Sequence, residues 1–383
     1  MSATHIEAST GAARAWGWVA HLRDGGTTPW PAWTDDGAPT ARVLPGAQQL
    51  ELLRRLNCWA ESSDGLHRGR SHLSTRLAER VLTAAAPGRG KPDLPLVGVG
   101  LSTYGPQPVD PSALPADELV RVATSVLAED VVALGMPTPP RQLGRTWRRG
   151  VRLIGNPLEA ADARELLAGR RSPRGPRAAV VIGGPLDQML ADVWTRRCFE
   201  RGSGAWLEWL RFWQQRDGLP PRIDLVAIAE RQRVAHRSVK VVLDRSALPH
   251  VLGVRRLPPL ARPGADAAEL ARRIATVVGL LVSPDDRAEL MTHTLLPRMP
   301  ATATPQVSLP DEHREWVCAA AHRMTRELRR AGYPVVGDLD SLVPVDPAPG
   351  SAAAQPCGAS PELVLDLAVR MLVDEGWKEK GSR

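Results

Sequence analysis

Hydrophobic positions in the first third of the chain follow a helical period in three places. Leucines spaced three and four residues apart favour a helix over 48–57, and amphipathic patterns predict further helices over 73–82 and 116–133. Residues 1–45 carry four tryptophans among Gly, Thr, Pro and Asp without a sustained period. We expect irregular structure or a strand or two there, pinned by the tryptophans. The pattern predicts a mainly helical N-terminal region.

After residue 150 the pattern changes to short β-branched runs separated by helical periods. Strands are predicted at 151–155, 178–182 and 239–243, with a short one inside 333–344. The predicted helices lie at 158–168, 186–200, 205–215, 224–233, 266–281 and 311–331. Strands that alternate with helices pair in parallel, so the fold class is α/β, with a parallel sheet flanked by helices.

Breaks in the pattern divide the chain into three parts. Residues 1–140 form the N-terminal region, and 141–345 form the α/β domain. Residues 345–360 are rich in Pro, Ala and Gly and predict a linker. A last helix over 361–375 completes the third part, 346–383.

Composition changes this picture little. The net charge of +7 suggests an acidic partner, but only four of the 49 basic residues are lysines. Abundant Arg, Ala, Gly and Pro are typical of a GC-rich genome, which makes nucleic acid an unlikely partner. Four scattered cysteines, without metal-site spacing, indicate reduced thiols and a cytoplasmic protein. No apolar run is long enough for insertion into a membrane.

The turn at Gly155-Asn156-Pro157 is the strongest candidate for a cofactor-binding site. A strand, a tight turn and a helix aim backbone N–H groups and the helix dipole at an anion. The residues that follow include no Lys, Ser or Thr, and Glu159 and Asp162 lie where a phosphate would bind. The sequence therefore predicts a loop that no longer binds an anion. No complete set of catalytic residues is recognisable elsewhere in the sequence.

From residue 151 onward the chain resembles the bacterial sulfotransferase-like P-loop family, in a shortened and degenerate form. That family's first strand ends in G-x-P-K-T-G-T-T, of which Gly155-Asn156-Pro157 matches G-x-P. The family's Lys, which holds the donor nucleotide PAPS, is replaced by Leu158. The T-G-T-T positions hold Glu159, Ala160, Ala161 and Asp162.

A second stretch, 180–194, carries the rest of the resemblance. Trp194 keeps the family's Trp, but Gly184 replaces the Arg and Asp192 the Ser that hold the donor's 3′-phosphate. The resemblance implies an inactive protein that no longer binds PAPS, unless other residues compensate for the replaced Lys, Arg and Ser. It further implies a non-catalytic or divergent role in cell-surface polysaccharide modification, with protein partners and a glycan acceptor.

Two other candidate features have simpler interpretations. Trp206, Trp209 and Trp213 follow a helical spacing, which is more typical of a core face than of a ligand platform. No histidine pair has a third ligand nearby in the sequence, so we expect no metal site.

The alternative function is DNA binding through a helix-turn-helix over 224–245. On that interpretation His236, Arg237 and Lys240 face the major groove. The second helix, however, would be the run Val-Lys-Val-Val-Leu, whose β-branched residues favour a strand. We therefore predict that 239–243 is a strand in the same sheet as 178–182.

Overall fold

The computed structural model describes residues 3–34, 44–63, 73–85, 92–99, 105–137, 151–168, 178–236, 238–300, 302, 304–345, 358–374 and 376–379. These residues form two compact units. Unit 1 comprises 1–137, 269–300 and 360–383, and unit 2 comprises 138–268 and 301–359. This division differs from the sequence-based one, which assigned 269–300 to the α/β domain and 346–383 to a separate part.

Unit 1 is helical. Its helices are α1 (Ala3–Arg23), α2 (Ala47–Ser63), α3 (Thr75–Thr83), α4 (Ala116–Leu134), the larger part of α10 (Ala265–Leu281), α11 (Pro284–Glu289), α13 (Pro361–Val373) and α14 (Gly376–Glu379). Helices α3, α4 and α13 confirm the predicted ones within two residues at each end, and α2 extends six residues beyond the predicted end at 57. Helix α13 packs on α4, and Lys378 of α14 forms an ion pair of 2.9 Å with Asp130 of α4.

The prediction of irregular structure or strands over 1–45 was wrong for the first half of that segment, because 3–23 form helix α1. Ala15, Trp18, Val19 and Leu22 are buried at helical spacing on one side of this helix. The expected pinning by tryptophan does occur: the Trp18 ring lies 5.3 Å from the ring of Trp30, which begins a short 3₁₀ turn. Residues 35–43 lie outside the described part of the chain.

Unit 2 is built on a parallel sheet, as the sequence predicted. Its described strands are β1 (Val151–Gly155), β2 (Ala178–Ile182), β3 (Ser238–Val242) and β4 (Val335–Val336), and they lie in the order β1-β2-β3-β4. Every pairing is parallel, with Leu153 beside Val180 and Val180 beside Lys240. In this order β1 and β4 are the edge strands.

Helices cover both faces of this sheet. The helices of unit 2 are α5 (Pro157–Ala168), α6 (Leu186–Cys198), α7 (Trp206–Gln214), α8 (Leu225–Ala235), α9 (Leu248–Leu252), the first turn of α10 and α12 (Asp311–Ala331). Ala179, Val181 and Val241 pack on one face with α6, α8 and α12. Val180 and Ile182 pack on the other with α5 and α9. Burial on two sides explains the near-continuous apolar sequence of β2 and β3.

The tryptophans of α7 belong to the core, which confirms their prediction. Trp206 and Trp209 are buried, and their rings stack with centroids 5.6 Å apart. The Trp206 Nε1–H donates to the Ser308 carbonyl at 2.9 Å. These side chains therefore help to hold the sheet's helical layer together.

The structure contradicts the helix-turn-helix alternative, because strand β3 lies where the second helix would be. Residues 238–242 form a central strand paired with β2 and β4, whereas that motif requires a second helix there. The valines gain more from packing between two helical layers than they would in a helix, where β-branching restricts their rotamers. The predicted strand at 239–243 is thus confirmed.

No helix in the described part of the chain is both long and apolar enough to cross a membrane.

Candidate functional site

The predicted loop at Gly155–Pro157 lies at the carboxyl end of edge strand β1. Gly155 has a φ of +102°, and a Cβ on it would lie only 2.0 Å from the carbonyl oxygen of Ile182. The next residue, Asn156, donates its backbone N–H to the same oxygen at 2.8 Å. A glycine is therefore required here so that β1 can turn closely past β2.

Asn156 is buried and uses its side chain within the protein. Its Oδ1 accepts from the backbone N–H groups of Leu158 and Glu159 at 3.2 and 3.4 Å, which caps the start of α5. Its Nδ2 donates to Asp192 Oδ2 at 2.7 Å. The amides that a phosphate-binding loop would offer to its ligand are thus directed at an asparagine of the same loop.

Asp192 of α6 is fully buried and accepts four hydrogen bonds. Besides Asn156, it accepts from Arg262 twice, with Nε 3.0 Å from Oδ1 and Nη2 3.2 Å from Oδ2. Gln306 Nε2 donates to Oδ1 at 2.9 Å, and Gln306 Oε1 accepts from Gln188. A buried carboxylate needs such pairing, because its desolvation is otherwise too costly.

Glu159 is the second buried carboxylate of this group. Its Oε1 lies 3.4 Å from Arg262 Nη2, and its Oε2 lies 3.8 Å from Arg245 Nη1, too far for a hydrogen bond. Desolvation raises the pKa of Glu159, and the charges of Arg245 and Arg262 only partly oppose this effect, while Asp192 adds to it. The carboxylate is therefore held in an unfavourable environment for its charge.

Asp162, one turn further along α5, completes the group. Arg245 donates through Nη2 to Asp162 Oδ2 at 2.8 Å and to the Pro258 carbonyl at 2.9 Å. We call Asn156, Glu159, Asp162, Asp192, Arg245, Arg262 and Gln306 the loop network. The sequence pattern indicates its asparagine and its acidic residues but not the two arginines and the glutamine, which lie in segments without a periodic pattern.

These residues do not fit a phosphate group. An anion at the start of α5 would meet the carboxylates of Glu159 and Asp192, and the nearby arginines already neutralise those carboxylates. Gly184, after the end of β2, contributes no charged side chain, and a Cβ on it would meet no atom within 4 Å. The arginines of the loop network therefore provide no uncommitted cation for a nucleotide.

The structure separates the residues of the alternative DNA-binding interpretation. His236 follows the last residue of α8, and Lys240 lies within strand β3. Lys240 is partly buried in the middle of the sheet, on the face of Val180. Arg237 lies outside the described residues. In the described part of the chain, no helix contains either His236 or Lys240.

Comparison with family models, with curated proteins and with solved structures finds no match to this chain. Among the described residues, no three His, Cys, Asp or Glu side chains come together as a metal ion would require.

Proposed function

We propose that unit 2 is a sulfotransferase-like module that does not bind PAPS and acts as a non-catalytic partner in cell-surface polysaccharide modification. The observation that carries the first part is the capping of α5 by Asn156, whose other side-chain atom is tied to Asp192. Sulfuryl transfer needs cationic donors at the charged oxygens of the donor. Here the two arginines of the loop network are engaged by acidic side chains of the protein itself.

The order of the strands also supports the proposed absence of PAPS binding. In open α/β sheets, nucleotides bind where the strand order reverses, because the loops diverge there and leave a crevice. The described strands run β1-β2-β3-β4 without a reversal, and the loop strand lies at an edge. The assignment to polysaccharide modification, with a protein partner and a glycan acceptor, rests on the resemblance in 151–157 and 180–194.

Calorimetric titration with PAP, the desulfated donor, tests this proposal. We expect no micromolar affinity for PAP and no contribution of Arg262 to any weaker binding. As a second readout, incubation with labelled PAPS and an acidic polysaccharide should transfer no label. Micromolar PAP affinity that disappears in Arg262→Gln would contradict the proposal, because it would mean that this arginine leaves Asp192 to hold a phosphate.

A further inference from the structure

A second candidate site lies along the outer edge of β1. It is a groove of about 1220 Å³. Strand β1 forms its floor, and residues of α5 and of the second half of α8 form part of its walls. All of its lining residues belong to unit 2. Gly155 and Pro157 of the turn line this edge groove, whereas no residue of the loop network does.

Positive charge dominates the edge groove. Its only acidic lining residue among those described is Glu200, whereas five arginines line it: Arg152, Arg164, Arg196, Arg222 and Arg231. Glu200 is shared by two of them, at 2.8 Å from Arg196 Nε and 2.7 Å from Arg222 Nη1. Desolvation opposes ionisation of Glu200, but the hydrogen bonds and charges of these arginines outweigh it and lower its pKa.

Two arginines of the edge groove, Arg152 and Arg164, form no ion pair with a described acidic residue. Arg164 donates Nε to the Ala160 carbonyl at 2.9 Å, and its terminal amino groups have no partner within the described residues. Arg152 makes no hydrogen bond or ion pair there at all. Desolvation and the charges of Arg196 and Arg222 lower the pKa of Arg164. An anion placed among these guanidinium groups would relieve their mutual repulsion.

Two buried polar atoms of the groove wall also lack partners. Gln232 Oε1 and His236 Nδ1 have no hydrogen bond within the described residues, although both are shielded from solvent. Buried polar atoms in folded proteins almost always have a partner, so these two are exceptions in the wall of the groove. Both residues line the edge groove beside the arginines.

We propose that the edge groove binds a small organic phosphate or sulfate ester. Guanidinium groups match tetrahedral oxyanions in geometry and charge. Apolar residues such as Leu153, Ile154 and Ile228 line the same groove and provide contacts for a carbon skeleton. No Phe, Tyr or Trp side chain is among the described lining residues, which disfavours single-stranded nucleic acid, because such sites stack bases mainly on these rings.

The test uses 4-nitrophenyl phosphate and 4-nitrophenyl sulfate with the full chain in low-salt calorimetry. We expect at least one ester to bind with submillimolar affinity, and the tighter of the two assigns the ester class. Arg164→Gln should weaken binding about tenfold, the size of one lost charged hydrogen bond. Arg152→Gln, at the other uncommitted guanidinium group, should weaken it in the same direction.

Two further variants make the test specific. Glu200→Gln should tighten binding several-fold, because it releases Arg196 and Arg222 to the ligand. Arg330→Gln, on the exposed side of α12 and outside the groove, is the matched control and should leave affinity unchanged. Absence of binding by both esters, or affinity indifferent to Arg164→Gln and Glu200→Gln, would overturn the proposal.

The edge-groove proposal does not depend on the proposed loss of PAPS binding, and each can be contradicted without the other. PAP binding that survives Arg164→Gln but not Arg262→Gln contradicts the proposed function alone. Binding of a short single-stranded DNA that requires Arg164 and Arg152, without binding of either ester, overturns the edge-groove proposal in favour of nucleic acid.

Discussion

Arg262 and Asp192 form a two-point ion pair over 70 residues of sequence, and the carboxylate of Asp192 has no exposure to solvent. The guanidinium group of Arg262 also reaches Glu159, so one cation serves two buried anions. Arg262 thus provides the counter-charge of the protein's own acidic residues.

Removal of the Asp192 charge should destabilise unit 2 strongly. Asp192→Asn leaves Arg262 facing one remaining acid and places two amide groups against each other at Asn156. We expect a loss of about 3 kcal/mol in the free energy of unfolding, which is the usual size for breaking one side of a buried ion pair. Urea unfolding measures this loss.

The control for that variant is Asp340→Asn. Asp340 and Arg329 form an exposed ion pair at 3.4 Å. Exposed pairs contribute little, so the change should stay below about 1 kcal/mol. Equal losses in the two variants would contradict the importance assigned to the buried pair.

Glu159 should make the protein less stable as the pH rises. Its folded pKa is raised above the ordinary 4.5, so the folded state binds its proton more tightly than the unfolded state does. Its contribution is therefore most favourable below pH 4.5 and is lost as the pH rises through the folded pKa. Relative to wild type, Glu159→Gln should gain stability over that interval, as measured by urea unfolding at several pH values.

Glu200→Gln provides the opposite sign in the same experiment. The pKa of Glu200 is lowered, so its contribution is present above the unfolded value and is lost as the pH falls through the folded one. The deficit of this variant against wild type should shrink in acid. Parallel pH profiles for the two glutamine variants would refute both assignments.

Gly155→Ala should be severe, and Gly184→Ala should be mild. An alanine at 155 combines a positive φ with a Cβ that would collide with the Ile182 carbonyl, so we expect a loss of at least about 2 kcal/mol. At 184 the added methyl group meets open space. Thermal or urea unfolding compares the two, and a tolerant Gly155 would show that the β1 turn is not as close as described.

Affinity for DNA should be weak and should collapse with salt. The second helix of the helix-turn-helix alternative is strand β3, so only unspecific attraction to phosphates remains. Fluorescence anisotropy of a labelled duplex should show at least a tenfold loss of affinity between 50 and 200 mM salt, by general counterion release. A sequence-selective complex that persists at 200 mM would argue against this prediction.

The sequence predicted the elements that have a strong local pattern. Helix α4 repeats its apolar residues at the helical period, because one of its faces is buried. Strands β2 and β3 are short, near-continuous apolar runs, because both faces of the sheet are covered. Helix α1 was missed although Ala15, Trp18, Val19 and Leu22 carry the signal. Its glycines and the proline-rich segment after it obscured the period.

The loop network could be predicted only in part. Glu159 and Asp162 were recognised because they follow the turn of a strand–turn–helix motif, at positions where an anion-binding loop has no acidic residues. Their partners come from distant, irregular segments: Arg245 follows β3, and Gln306 is 114 residues from Asp192. Contacts of this kind depend on tertiary packing, which no local propensity encodes.

The discontinuity of unit 1 has a consequence for synthesis on the ribosome. Helix α4 is made before any part of unit 2, but its packing partner α13 is made after all of it. The apolar surface of α4 that α13 covers must therefore wait while more than 200 residues are translated, on the order of 10–40 s at usual elongation rates. During that interval the nascent chain carries an unfinished hydrophobic core, which is the kind of surface that chaperones recognise.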